Sequence, residues 1–363
     1  MITEVRNSLN KFGYKYLIKP ILFQFDPEAV HKLFIKTGKI LGSTAFTREI
    51  TSIMFNYSNP MLKQRILNID FKNPIGLSAG FDKDAELTKI IPKVGFGYEE
   101  VGSITANSCA GNSGVRIKRI PEKKSLWINL GLNNNGADEI ASRLYLRRFE
   151  IPIAISIAKT NCKETVDPKI AIQDYLYTLK KMNEKGIGKF FVINISCPNA
   201  YGGQPFSNPR LFKMLMYEIY KLNIKKPIFI KISPDLSNEN IDKIIEISKN
   251  YGVSGFICSN LTKQHKFDSG GLSGKVLEEK SNKLIEYVYK KTKGKFIIIG
   301  VGGVFSAKDA YKKIKLGASL ISLISGMIYE GPSLISEINR NLVKLLKKDG
   351  FSNITEAIGK DVK

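Results

Sequence analysis

The 363-residue chain reads as an α/β protein of the (β/α)8 TIM-barrel class with a small helical domain at its N-terminus. Three observations lead there. Apolar, strand-like runs alternate with longer amphipathic ones from about residue 66 onward, the pattern of βα units around a parallel sheet. Eight such runs can be counted, more than an open doubly wound sheet normally carries. Polar and glycine residues also collect just after the runs, on the face where a parallel barrel builds its site.

Residues 1–45 read as a separate helical piece and residues 46–363 as the barrel domain. Asp26-Pro27-Glu28 is a strong helix start, with Asp as N-cap, Pro at the first helical position and an acid in the first turn. Val30, Leu33, Phe34, Ile35, Ile40 and Leu41 then give a broad apolar face that ends near Gly42. The preceding Tyr14–Phe25 stretch is equally apolar and is expected to break at Pro20. Flanked by lysines, these two helices suit either a membrane interface or a lid packed on the barrel.

The eight expected strands are Pro74–Ala79, Tyr98–Thr105, Ile153–Ala158, Phe191–Ser196, Ile228–Ile232, Gly255–Ser259, Phe296–Gly300 and Leu320–Ser325. Helical patterns follow them, for instance at Glu239–Lys249 and Ala307–Leu316.

Composition narrows the class. A hydrophobic fraction of 43% with 25% charge is that of a soluble globular protein. No apolar run approaches the roughly 18 residues that cross a bilayer, and no secretory signal is expected. Cys109, Cys162, Cys197 and Cys258 are scattered without a CxxC pair, and there are only two histidines, so no metal site is expected. Free thiols point to a reducing compartment. The net charge of +23 fits lysines spread over solvated faces, and no nucleic-acid motif accompanies it, so no nucleic-acid partner is expected.

The chemistry gathers at the strand ends. Gly300-Val301-Gly302-Gly303 and Ser325-Gly326 follow the last two strands, where glycines let backbone N–H groups approach the phosphate of a cofactor. Lys231 interrupts the apolar strand Ile228–Ile232 and would point into the barrel mouth, where a buried ammonium needs an anionic or strongly accepting partner. A flavin's N1 and C2 carbonyl, which gain negative charge on reduction, would serve. Asn194, Asn199 and Asn260 suit a planar, amide-rich heterocycle. Cys197 between them serves as a proton acceptor if its pKa is lowered toward neutrality.

These residues resemble the dihydroorotate dehydrogenase family, and specifically its membrane-associated, quinone-reducing class. The likeness covers nearly the whole chain. It rests on Phe25-Asp26-Pro27-Glu28-Ala29, Asn73-Pro74-Ile75-Gly76-Leu77, Ala79-Gly80-Phe81-Asp82-Lys83 and Val101-Gly102-Ser103-Ile104-Thr105. It continues through Asn194–Asn199, Lys231-Ile232-Ser233-Pro234-Asp235-Leu236, Gly270-Gly271-Leu272-Ser273-Gly274 and Ile299–Gly303.

The resemblance implies an FMN-holding barrel, with the N-terminal helices forming a quinone tunnel at the membrane surface. It implies a peripheral location on the cytoplasmic face of the cell membrane. In that family a base takes the C5 proton of dihydroorotate while hydride passes from C6 to the flavin, and quinone then reoxidises it. Carried over, Cys197 is the base. Lys83, Asn194, Asn199 and Asn260 hold substrate, with Asn129, Gly131, Leu132 and Leu261 at the remaining substrate positions. Ala79, Gly80, Ser103, Ser156 and Asn194 fall at cofactor positions, as do Lys231, Ser259, Gly274, Gly303, Ile324 and Ser325.

Four departures from the pattern stand out. The quinone-using class ordinarily has serine as base where this chain has Cys197. An asparagine of the substrate motif is Ile128, with Asn129 one position off. A cofactor asparagine is Ser156, and a substrate-side threonine is Leu261. Ile128, Ser156 and Leu261 suggest one rival, an FMN oxidoreductase with another substrate; a second, a non-catalytic barrel that binds at a membrane surface, is opposed by the retained Lys231 and Cys197.

Overall fold

The computed structural model describes residues 2–362. Eight parallel strands close into a barrel in sequence order, the last beside the first. They are β1 (Ile75–Leu77), β2 (Tyr98–Ile104), β3 (Ile153–Ile157) and β4 (Phe190–Asn194), then β5 (Ile228–Ile232), β6 (Gly255–Cys258), β7 (Ile297–Val301) and β8 (Leu320–Leu323). Each falls inside or within one residue of an expected run. Barrel strands covered by helices outside and side chains inside are apolar on both faces, so they read as continuous runs. The helices expected at Glu239–Lys249 and Ala307–Leu316 occupy Asn238–Asn250 and Ala307–Lys315.

One end of the barrel is filled. Tyr98, Phe190, Phe229, Ile299 and Leu320 pack inside it, beneath Ile66 and Phe71 of a short antiparallel hairpin (Gln64–Ile66 with Ile69–Phe71). The ring of Tyr98 needs the space that Gly76 leaves. A Cβ at Gly76 would lie 2.2 Å from Tyr98 Cζ, well inside contact distance. Tyr98 Oη also shares a 2.6 Å hydrogen bond with Ser322 Oγ, which satisfies its buried hydroxyl. With this end plugged, ligands reach the interior only from the C-terminal face.

The N-terminal helices sit beside that face. They are α1 (Ile2–Phe12), α2 (Lys19–Leu22), α3 (Pro27–Ser43) and α4 (Ala45–Phe55). Asp26 caps α3 as expected, its Oδ1 accepting from Ala29 N at 2.8 Å. The break expected at Pro20 is absent. A π-helical stretch, Gly13–Ile18, joins α1 to α2 instead, and Pro20 falls in the first turn of α2, where its missing N–H costs no bond.

Of the two fates foreseen for these helices, packing on the barrel is the one observed. Tyr14 Oη donates to Ile328 O at 2.6 Å, Arg119 Nη1 donates to Phe25 O at 2.7 Å, and Arg116 pairs with Glu28, so the helices dock on the barrel. Leu9, Phe12, Leu17, Ile21, Phe46 and Ile53 nevertheless stay exposed. Among the described residues, no helix is long and apolar enough to cross a membrane.

Sequence reading missed a three-stranded antiparallel sheet made of Ile117–Ile120, Ser125–Ile128 and Gly271–Gly274. Its Ile117, Leu126, Ile128 and Gly274 form one wall of the cavity described next.

Candidate active site

A single cavity of about 480 Å³ runs from between the N-terminal helices to the open mouth of the barrel. Leu22, Phe23, Val30 and Phe34 line its outer part, and Lys231, Asn194 and Cys197 lie at its inner end. The sulfur and the ammonium singled out from sequence therefore face one space.

The floor is ionic. Lys231 projects from β5 into the barrel, almost fully buried, with its Nζ 3.1 Å from Glu100 Oε1 and 3.3 Å from Oε2. Glu100, on β2, also accepts from Ala79 N at 3.2 Å. The anionic partner that Lys231 requires is thus supplied by the protein itself, and Glu100 was not picked out from sequence.

Above the floor stands a ladder of short polar groups. Asn194 Nδ2 donates to Ser103 Oγ at 2.9 Å, and Ser103 and Ser156 share a 2.8 Å hydroxyl contact. Asn260 Nδ2 donates to Asn194 Oδ1 at 3.2 Å. Asn199 Oδ1 and Asn133 Oδ1 are buried without a hydrogen-bond partner, and both residues line the cavity. Orphaned acceptors at a cavity wall are what a ligand with N–H donors would satisfy.

Lys83 lies on the loop after β1. Asp82 fixes that loop: its carboxylate accepts from Glu86 N at 2.8 Å and Leu87 N at 2.7 Å, and the buried Glu99 carboxyl is its neighbour. Burial pushes Asp82 up to about 6 and Glu99 well above the usual carboxyl range, the Asp82 charge adding to the rise at Glu99. Burial also pushes the Lys83 ammonium down to about 8, opposed by nearby Glu28. His31, on α3, is pushed down to about 4 by burial, so its ring is neutral near pH 7 and donates from Nε2 to Phe81 O at 2.8 Å.

Cys197 departs from expectation. Instead of moving toward neutrality, its thiol is pushed up to about 11 by burial. The N–H groups of Asn199 and Ala200 and the charges of Lys231 and Lys159 offset this only in part.

Of the residues expected around substrate, the cavity gathers Lys83, Leu132, Cys197, Asn194, Asn199, Asn260 and Leu261. It leaves out Asn129 and Gly131. Asn129 Oδ1 accepts from Asn112 at 2.8 Å and its Nδ2 donates to Ser269 at 3.2 Å, while Ile128 takes the cavity face. Gly131 backs against Asn112, and its carbonyl accepts from Asn161 at 3.0 Å. Of the expected cofactor residues, Ala79, Gly80, Ser103, Lys231 and Ser259 line the cavity, as do Gly274, Gly303, Ile324 and Ser325. Ser156 does not; it lies behind Ser103.

A plugged barrel whose open mouth holds a buried cation, amide ladders and a thiol around one apolar-walled cavity defines an enzyme-like (β/α)8 ligand-binding protein. Comparison with known proteins gives the particular family. Residues 61–346 match the family model for dihydroorotate dehydrogenase, and the chain belongs to that family. A dihydroorotate dehydrogenase (quinone) from Sulfurimonas denitrificans is 41% identical over 354 residues, covering 95% of this chain and 98% of that one. The protein of the same description from a Sulfurovum species is 38% identical over 354 residues, again covering 95% and 98%. A crystal structure of the Eimeria tenella enzyme in complex with ferulenol superposes with a TM-score of 0.82 at 29% identity, covering 93% of this chain and 96% of that one.

Proposed function

We propose that the protein is an FMN-dependent dihydroorotate dehydrogenase that passes electrons to a quinone. One observation carries the reading: a single cavity joins the buried Lys231, the amide ladder and Cys197 to an apolar passage between the N-terminal helices. The residues present fit FMN. Lys231, Ser103 and Asn194 suit the polar edge of the flavin ring, and Gly303 with Ser325 suits its phosphate. Bound there, FMN supplies the two-electron redox chemistry that links the substrate to the quinone.

The chain's own residues do the rest. Lys83 holds the substrate carboxylate, and Asn133 and Asn199 accept from the ring N–H groups with their orphaned Oδ1 atoms. Cys197, as thiolate, takes the C5 proton of dihydroorotate on Sγ. The apolar passage admits the quinone. The exposed apolar residues of α1, α3 and α4, set among lysines, support peripheral docking on the cytoplasmic face of the membrane.

Anaerobic mixing with millimolar dihydroorotate should bleach the flavin band, and a short-chain ubiquinone should restore it. A flavin that stays oxidised under those conditions refutes the assignment and leaves Ile128 and Leu261 as marks of a different substrate.

Lys83 adds a pH dependence. Its ammonium is charged below about 8 and is lost as pH rises through that value. Orotate, followed by its shift of the flavin spectrum, should bind ~10-fold more weakly at pH 9 than at pH 7, since one unit beyond the pKa removes nine-tenths of the charge. Lys83→Met should bind weakly and with a flat profile.

A further inference from the structure

Cys197 has a second side. Away from the main cavity its residue lines a separate small cavity of about 10 Å³, shared with Lys159, Tyr175, Ala200 and Phe206. That volume is close to the space of one water.

Lys159 is the only cation bordering that space. It sits just past the end of β3 and is almost fully buried. Its Nζ donates to Tyr201 O at 2.7 Å and to Thr165 Oγ1 at 3.0 Å, both neutral acceptors. An ammonium has three N–H donors, so one remains. Among the described residues Lys159 forms no salt bridge; the charges of Cys162, Asp174 and Cys197 act on it without direct contact, each favouring its charged form.

The other charges around Cys197 are accounted for. Lys231 acts on it from β5, but Glu100 on β2 neutralises Lys231 at 3.1 Å. Tyr175 faces it from the helix Pro168–Glu184, with its hydroxyl committed to Asn194 O at 2.8 Å and held neutral by burial. Two buried cations therefore bear on the thiol, and one already has its counter-ion. The one without a salt bridge is Lys159, on which Asp174 acts only at longer range.

We propose that Lys159 is a positioning residue for the proton-transfer step: its buried ammonium, which no salt bridge neutralises, borders the small cavity beside Cys197 and favours the Cys197 thiolate. The step balances simply. The substrate's C5–H bond breaks, its proton moves to Sγ and the thiolate becomes a thiol, while the electron pair left on C5 becomes the C5–C6 double bond as hydride leaves C6 for the flavin; Lys159 keeps its proton. Buried charges interact more strongly than solvated ones, so an unpaired cation here acts with little screening. The inference rests on reading Cys197 as the base.

The test reads the thiolate directly. Alkylation of Cys197 by iodoacetamide in the FMN-loaded protein, followed at its own peptide by mass spectrometry, reports the thiolate fraction at a given pH. Lys159→Met should slow it at pH 9 by ~10-fold or more, the effect of one unit of pKa. Lys159→Arg, which keeps the charge, should stay within about twofold of the parent, and Cys109 in the same samples serves as control. Should Lys159→Met fail to fold, Lys159→Gln gives the same reading. Unchanged alkylation of Cys197 in the charge-removing variant overturns the proposal, as does a loss in Lys159→Arg equal to that in Lys159→Met.

Activity separates this from the base assignment. If Lys159 acts through Cys197, kcat/KM for flavin reduction in Lys159→Met should recover as pH is raised. If Cys197→Ala reduces flavin at the parent rate, the base reading fails, while the alkylation rates still decide whether Lys159 governs the thiol.

Discussion

Cys197→Ala should reduce the rate of flavin reduction by dihydroorotate ~100- to 10,000-fold, the usual contribution of a positioned general base, while FMN remains bound. Binding should survive because the contacts proposed for FMN come from Lys231, Ser103 and Gly303, all of which the variant keeps. The companion change, Cys197→Ser, is more informative. A serine hydroxyl ionises far above a thiol, so activity should persist with the rising limb of its pH profile moved to higher pH. Burial already pushes the Cys197 thiol up to about 11, so the parent rate should itself climb from neutral pH toward alkaline pH. Stopped-flow reduction across pH 6–10 measures all three proteins. Full activity in the alanine variant would remove Cys197 from the chemistry altogether.

How far this was legible from sequence follows from where each signal lies. The barrel strands were readable because burial on both faces leaves nothing but apolar residues, as in Phe190-Phe191-Val192-Ile193. The antiparallel sheet was not. Ile117-Lys118-Arg119-Ile120 carries two charges in four residues, and Gly271-Leu272-Ser273-Gly274 reads as a turn. That sheet also decides the fate of Asn129. Leu126 and Ile128 share the cavity face of their strand, so the next residue points away; a shift of one position reverses the face. Asn133 was hidden among three consecutive asparagines. Only the fold shows that the Asn134 amide is spent on Thr105, at 2.8 Å, and the Asn135 amide on Glu139, leaving Asn133 to face the cavity. The ionisation of Cys197 was out of reach for the same reason. A sequence names the thiol but not the enclosure that sets its pKa.

Glu100 shows what that gap hides, because two adjacent acids in a strand carry no sign of which points inward. Along β2, Tyr98 and Glu100 face the barrel interior, and Glu99 faces the loop that holds Asp82. Removing one partner of a buried ion pair leaves the other as an uncompensated charge, at a cost of about 3–5 kcal/mol. Glu100→Gln should therefore lower the unfolding free energy of the FMN-free protein by ~3–5 kcal/mol in a urea titration. The double change Glu100→Met with Lys231→Met should recover most of that loss, since well-packed apolar side chains often replace a buried pair without penalty. If stability alone explained the pair, the double variant would be a full substitute. It should instead bind FMN far more weakly than the parent, because under the proposed function Lys231 is the ammonium placed to meet the charge a reduced flavin acquires. A Glu100→Gln protein that unfolds at the parental urea midpoint would mean that Lys231 does not depend on Glu100. A double variant that retains FMN would separate the buried pair from the cofactor.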